Sequence, residues 1–178
     1  MKTTKVLLSI SLILFMWGCS MKNKPESKLY ENLDEMVAEA RSMTSTISID
    51  DFHKLMQSET AYILIDVRLP EEHKKGFIPG SVSIPRGVLE FRIDSEKVWD
   101  EEGMYVPEKD EMLVLYCKKA KRSVFATRAL KQLGYTNIKY LSGGWTEWHS
   151  QYPELKEDKI EEGADLGVAA EEEESGGC

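Results

Sequence analysis

The chain has 178 residues and a mass of 20.3 kDa, with 42% hydrophobic and 30% charged residues. That suits one domain with attachments and excludes a wholly disordered chain or a low-complexity stalk. The formal charge of −8 is unevenly placed: residues 154–178 hold ten acids and two lysines, so the rest is close to neutral and offers no long-range attraction to nucleic acid. Three cysteines are too few for a disulfide scaffold, and three histidines argue against a His-rich metal site. No metal and no cofactor is expected.

The first residues predict export. Lys2 and Lys5 precede an apolar run from Val6 to Trp17, interrupted only by Ser9 and Ser11. The run is short for a permanent membrane span. Basic, then apolar, then small is the order of a secretory signal over residues 1–18. Met16-Trp17-Gly18-Cys19 resembles the bacterial lipobox, well at Gly18 and Cys19 and poorly at Met16 and Trp17. The resemblance implies cleavage before Cys19 and lipidation of its thiol, giving a membrane-anchored lipoprotein facing the periplasm or the cell exterior. Several acyl chains hold a protein firmly where one does not. Residues 19–46 then read as a tether. Leu33, Met36, Val37 and Ala40 are spaced for a helix that packs on the domain or acts as a spacer.

Residues 47–153 read as one α/β domain. Ile47 to Ile49 suggests a short strand, and Asp50 or Asp51 a cap for the helix bearing Phe52, Leu55 and Met56. Tyr62 to Ile65 is a continuous apolar run, hence a buried parallel strand ending at Asp66. Val82 to Ile84 reads as a short strand, Arg86 to Phe91 as a short helix, and Asp94 to Glu102 as an external charged loop around Trp99. Met112 to Tyr116 is a second strong strand. Arg122 to Leu133 is helical, with Val124, Phe125, Ala129, Leu130 and Leu133 as the expected buried set and Gly134 as its C-terminal cap. Ile138 to Leu141 is another strand. A Gly143-Gly144 turn and a helix from Trp145 to Gln151 follow, with Trp145 and Trp148 expected to share a core face. Alternating strands and helices predict a central, mostly parallel sheet with helices on both faces. Ligands of such folds bind beyond the carboxyl ends of strands. Asp66 and Cys117 stand at those ends.

Cys117 is followed by Lys118, Lys119, Ala120, Lys121, Arg122 and Ser123. Positive charge and helix N-terminal amides both favour a thiolate. The same amides make a cradle for an anion or for the terminal sulfur of a persulfide. A buried inert thiol among solvated lysines is the plain alternative. No spacing ties His73 or His149 to Cys117, and a stabilised thiolate needs no histidine base.

Four ordered pieces carry a family resemblance. Leu64-Ile65-Asp66-Val67-Arg68 with Pro70 and Glu71, Gly76 to Ser81 with Ile84-Pro85, Val114 to Ser123, and Leu141 to Trp145 with Trp148 together resemble a single rhodanese domain. The resemblance implies sulfur transfer. Cys117 would be the nucleophile and persulfide carrier, and Arg122 would orient the anionic group. Lys118, Lys119, Ala120, Lys121 and Ser123 would be substrate-binding loop positions, with Lys118, Lys119 and Lys121 shaping donor preference. Asp66 and Arg68 would organise the site. The partners implied are a small anionic sulfur donor (thiosulfate, polysulfide or a persulfide) and a thiol, cyanide or protein acceptor. Two departures stand out: Ala120 where glycine is common, which predicts a strained or altered loop, and Phe77 where histidine is common. Related phosphatases have five residues between cysteine and arginine; this chain has four. An arsenate reductase reading is slightly more open.

Two other classes of function remain in view: a low-turnover rhodanese-fold binding or sensor domain, and an envelope thiol redox protein. Residues 154–178 read as an acidic disordered tail. Cys178 at its end is a second thiol, able in principle to form a disulfide with Cys117 or accept its sulfur.

Overall fold

The computed structural model describes residues 28–157. The segment expected to be a signal peptide, the expected lipidation site Cys19 and the residues beyond Glu157 lie outside the described residues. Residues 28–31 belong to a separate unit, and the domain begins at Asn32.

Five strands form one parallel sheet in the order β1-β5-β4-β2-β3. They are β1 (Ser45–Ile47), β2 (Ile63–Asp66), β3 (Ser81–Ser83), β4 (Leu113–Tyr116) and β5 (Ile138–Leu141). Side chains alternate across a strand, and this splits the core by parity. Ile63, Ile65, Leu113, Leu115 and Cys117 pack on one face with Trp99, Ala126 and Leu130. Leu64, Val114 and Tyr116 pack on the other with Phe52, Ile78 and Trp148. Both faces of β2 and β4 are therefore buried, which is why those strands are unbroken apolar runs. Their ends lie side by side: Asp66 pairs in register with Tyr116, and the Val67 amide donates to the Tyr116 carbonyl at 2.9 Å.

The helices are α1 (Leu33–Ser42), α2 (Ile49–Met56), α3 (Pro70–Lys74), α4 (Leu89–Arg92), α5 (Glu96–Glu101), α6 (Lys121–Gln132) and α7 (Gly144–Gln151). Helix α1 packs against the domain. Its Ala40 joins Ala120, Val124 and Tyr140 in a small cluster, and Lys131 donates to the Met43 carbonyl at 2.9 Å. A domain edge drawn at Ile47 thus falls at the last residue of β1. At the other end, Trp148 Nε1 donates to the Leu155 carbonyl at 3.0 Å, and Phe77 and Glu157 exchange backbone hydrogen bonds at 2.8 and 3.0 Å. Residues 154–157, read from sequence as the start of the tail, are tied to the fold.

Four local expectations change. Helix α2 is capped by Ser48, whose hydroxyl accepts from the Asp51 amide at 3.1 Å; Asp50 and Asp51 sit inside the first turn, beside the positive end of the helix dipole. The strand expected at residues 47–49 ends at Ile47 because Ile49 opens that helix. The charged segment around Trp99 is helical, and Trp99 is fully buried with its indole N–H on the Ile93 carbonyl at 2.8 Å. On α6 the buried stripe is Ser123, Val124, Ala126, Thr127 and Leu130. Phe125 and Ala129 are half-buried and Leu133 is exposed. Two small polar residues face inward there because α6 lies close to the sheet. Gly134 follows α6 with φ +94°, as a C-terminal cap requires.

Candidate active site

Cys117 is the first residue after β4 and is buried, 1% exposed. The chain then turns through Lys118, Lys119 and Ala120 into α6. Ala120 holds φ +63°, ψ −20°, the one non-glycine residue with positive φ among the described residues. The turn needs a left-handed residue, and alanine occupies it at a cost of about 1–2 kcal/mol. The Lys121 amide is used on the Lys119 carbonyl at 2.9 Å. The amides of Lys118, Lys119, Ala120, Arg122 and Ser123 donate to no backbone carbonyl among the described residues. Five N–H groups without a backbone acceptor among the described residues thus lie in the turn and first helical residues directly after the thiol. Such a loop suits an anion or a polarisable sulfur.

The other expected loop residues divide by role. Arg122 makes a two-pronged ion pair with Glu72, NH1 to Oε2 at 2.6 Å and NH2 to Oε1 at 2.8 Å. The Glu72 hydrogen bond raises the Arg122 pKa, burial opposes this, and the Cys117 sulfur adds a smaller favourable contribution. Glu72 is in turn held below the usual carboxylate range, first by Arg122 and despite partial burial. The Ser123 hydroxyl donates to the Ala120 carbonyl at 3.0 Å and so fixes the turn. Lys121 leaves the site and pairs with Asp34 of α1 at 2.6 Å. Lys118 and Lys119 are exposed, with no ion pair among the described residues.

Asp66 and Arg68 form a buried ion pair, 0% and 2% exposed. Arg68 Nε and NH2 reach Asp66 Oδ2 at 2.8 and 2.6 Å, and NH2 also donates to the Gly76 carbonyl at 2.7 Å. His73 Nδ1 lies 2.9 Å from the same carboxylate. Burial pushes the Asp66 carboxyl up, but the His73 and Arg68 hydrogen bonds outweigh it and hold it below its ordinary value. The Arg68 guanidinium lies over the Trp145 ring at 4.6 Å from its centroid and over Tyr116 at 5.4 Å. The pair meets the site through these rings and through the Arg68 charge, which helps to hold Glu72 below its ordinary range. Phe77 stacks on His73 at 4.1 Å, a packing role.

Besides Glu72, sequence reasoning missed the roles of two residues. Gly144, read as part of a tight turn, has φ +63°. A Cβ there would sit inside van der Waals contact of the Cys117 carbonyl oxygen and 3.0 Å from the Ala120 nitrogen. The next two amides secure the loop: Trp145 N–H donates to the Cys117 carbonyl at 2.8 Å and Thr146 N–H to the Lys118 carbonyl at 3.0 Å. Helix α7 is therefore a clamp on the active-site turn. Trp145 was expected in the core with Trp148. Trp148 is fully buried, and Trp145 is half-buried: it packs against the same core cluster and also lines a cleft of about 280 Å³ with Arg68, Leu69, Glu71, Glu72, Lys75 and Lys118. No group of acidic, histidine or cysteine side chains that would hold a metal occurs among the described residues.

A buried cysteine at the end of a central strand, with four residues between it and an arginine in the first turn of the next helix, stands before a turn with amides lacking backbone acceptors among the described residues, on a parallel α/β sheet. Residues 48–151 match the model of the rhodanese-like domain family, and the chain belongs to that family. It is 36% identical over 107 residues to the human thiosulfate:glutathione sulfurtransferase, covering 58% of this chain and 91% of the relative. It is 35% identical over 118 residues to a mitochondrial protein of Schizosaccharomyces pombe provisionally named a thiosulfate sulfurtransferase, covering 60% and 81%. A solved human single-domain sulfurtransferase superposes with a TM-score of 0.56 at 32% identity, covering 61% of this chain and 97% of that one. These likenesses support a rhodanese-type sulfurtransferase.

Proposed function

We propose that the protein moves a sulfane sulfur from a small anionic donor to a thiol acceptor through a persulfide on Cys117. The observation that carries this is that Cys117 directly precedes a turn and helix start with five amides that have no backbone acceptor among the described residues. With thiosulfate as donor, the Cys117 thiolate attacks the outer sulfur. The S–S bond breaks, and sulfite leaves with its electron pair. The loop amides stabilise the terminal persulfide sulfur, and Arg122, held by Glu72, supplies a fixed positive charge beside it. An acceptor thiolate then attacks that terminal sulfur, becomes a persulfide itself and restores the Cys117 thiolate. Cyanide in the acceptor's place would leave as thiocyanate. No proton acceptor from the protein is needed if the acceptor arrives as thiolate.

Intact-mass measurement before and after thiosulfate tests this. The protein gains the mass of one sulfur, cyanide removes it, and Cys117→Ser prevents it. Absence of the gain with both thiosulfate and polysulfide refutes the reading. The low-turnover binding alternative is favoured by one observation, the strained Ala120 in the turn; it is distinguished by partner binding that survives Cys117→Ser. We further propose, on the sequence of residues 1–19, that the protein is exported and lipid-anchored at Cys19. Labelled palmitate incorporated by the natural chain and lost in Cys19→Ala supports this, and equal labelling of both refutes it.

A further inference from the structure

The chain leaves the fold beside the Cys117 loop. Phe77 and Glu157 pair as an antiparallel bridge, each amide donating to the other's carbonyl. That direction sends the chain beyond Glu157 back alongside Gly76 toward Lys75. Lys75 lines one cleft with Lys118, the residue next to Cys117, so the exit and the loop share a side of the domain. That side carries unbalanced positive charge. Arg68 is neutralised by Asp66, and Glu72 by Arg122. Lys75, Lys118 and Lys119 are exposed and make no ion pair among the described residues, and only Glu71 is an unpaired acid lining the cleft. Residues 158–178 have the opposite balance: eight acids and one lysine, with Glu171 to Glu174 consecutive. Those 21 residues span at most about 70 Å, more than the width of a small domain, so reach sets no limit and charge decides. Cys178 follows Glu174 by four residues, at most about 14 Å of chain. Lys118 and Lys119 directly follow Cys117, so acids seated on those lysines bring the two sulfurs together. Ser175, Gly176 and Gly177 lie between, and small residues are what a thiol needs to approach a cysteine that is 1% exposed.

We propose that residues 158–178 dock their acidic run on Lys75, Lys118 and Lys119, and that Cys178 is a built-in acceptor for the sulfur carried by Cys117. The Cys178 thiolate attacks the terminal sulfur of the Cys117 persulfide. A bond forms between Cys178 Sγ and that sulfur, the bond to Cys117 Sγ breaks, and its electron pair returns to Cys117 as thiolate. The transferred sulfur keeps its proton and its oxidation state, so no outside oxidant or reductant enters. A thiol tethered in the same chain meets Cys117 at an effective concentration on the order of millimolar. Cys178 then holds the sulfur outside the buried loop, where a second acceptor reaches it. The proposal rests on the sulfurtransferase reading above.

The test uses the full chain, Cys117→Ser, Cys178→Ser, and a fourth protein that combines Glu171→Gln, Glu172→Gln, Glu173→Gln and Glu174→Gln. Each is mixed with thiosulfate, quenched by alkylation at set times and digested, and mass spectrometry of the peptides locates the added sulfur. In the natural chain it is expected first on Cys117 and then on Cys178. In Cys178→Ser it stays on Cys117, and in Cys117→Ser neither cysteine takes it up. The glutamine variant should load Cys117 at the natural rate but pass sulfur to Cys178 about tenfold more slowly. Salt at roughly 0.5 M should slow the natural chain toward that rate. Sulfur confined to Cys117 in the natural chain, equal labelling of Cys178 in Cys117→Ser, or equal migration rates in the natural chain and the glutamine variant each overturn the proposal. So does transfer from Cys178→Ser to Cys117→Ser in a mixture as fast as migration within the natural chain. Loading of Cys178→Ser separates the two failures. If its Cys117 takes up sulfur and none migrates in the natural chain, only the proposal falls. If it takes none from thiosulfate or polysulfide, the sulfurtransferase reading falls, and the proposal with it.

Discussion

Replacing Gly144 by alanine should damage the site. Two costs add. The first is backbone conformation: φ +63° suits glycine, and alanine there costs about 1–2 kcal/mol. The second is collision. The new Cβ meets the Cys117 carbonyl oxygen and lies 3.0 Å from the Ala120 nitrogen and 3.2 Å from the Cys117 carbonyl carbon. These are backbone atoms and cannot rotate aside. Relief requires α7 to withdraw, which weakens the Trp145 and Thr146 hydrogen bonds to the loop. Overpacking of this kind costs about 1–3 kcal/mol, and each weakened hydrogen bond about 0.5–1.5 kcal/mol. Gly103 supplies the control: its φ is +67°, and nothing lies within 4 Å of a Cβ built there. Gly103→Ala should cost only the backbone component, and the change in unfolded-chain entropy cancels in the comparison. Urea unfolding should therefore place Gly144→Ala about 2–6 kcal/mol below Gly103→Ala. Persulfide formation, followed by mass at a temperature where both remain folded, should slow only in Gly144→Ala. Equal stability and equal sulfur loading in the two variants would refute the clamp.

Ala120→Gly relieves about 1–2 kcal/mol of left-handed strain but gives up a buried methyl in the Ala40, Val124 and Tyr140 cluster, about 0.8 kcal/mol, and adds unfolded-state entropy. Its thermal midpoint should move little, while sulfur loading by thiosulfate becomes as fast or faster. Asp66→Asn leaves the buried Arg68 charge without its partner and should cost about 3–5 kcal/mol in urea midpoint at constant slope. Glu72→Gln tests acid stability. The folded Glu72 lies below its ordinary 4.5, so its contribution is complete above about that pH and is lost as pH falls through the folded value. Arg122 is 36% exposed, so the contribution is about 1 kcal/mol after screening. The stability gap between natural chain and Glu72→Gln should be widest above pH 5 and close as the pH falls below 4.

Much of the fold was legible because the information is local. Strands β2 and β4 are buried on both faces, so they appear as unbroken apolar runs, and their ends point to Asp66 and Cys117. The glycine after α6 and the unusual alanine in the turn also announced their backbone angles, since steric limits on φ act within one residue. The resemblance to the rhodanese family rested on such local pieces in order. What the chain order concealed was pairing over distance. Glu72 and Arg122 are fifty residues apart, and nothing near either marks the other. Lys121 looks like its neighbours in the basic run, yet α1 carries Asp34 to it across eighty-seven residues. Trp99 sits among acids and so reads as external, although its ring fills the core.

The sequence alone determined that a thiol stands at a strand end before an amide-rich turn with four cations, because consecutive residues in a strand–turn–helix have little freedom. Only the tertiary structure decided which cations serve the site, and that the start of α7 clamps the turn. It also set Trp145 at the edge of the core that Trp148 fills. Three residues on a helix are about 60° apart around its axis, so both indoles share a broad face. Which edge of that face meets the core and which lines the cleft depends on how α7 is seated against β2 and the loop, and seating is a property of the packed chain.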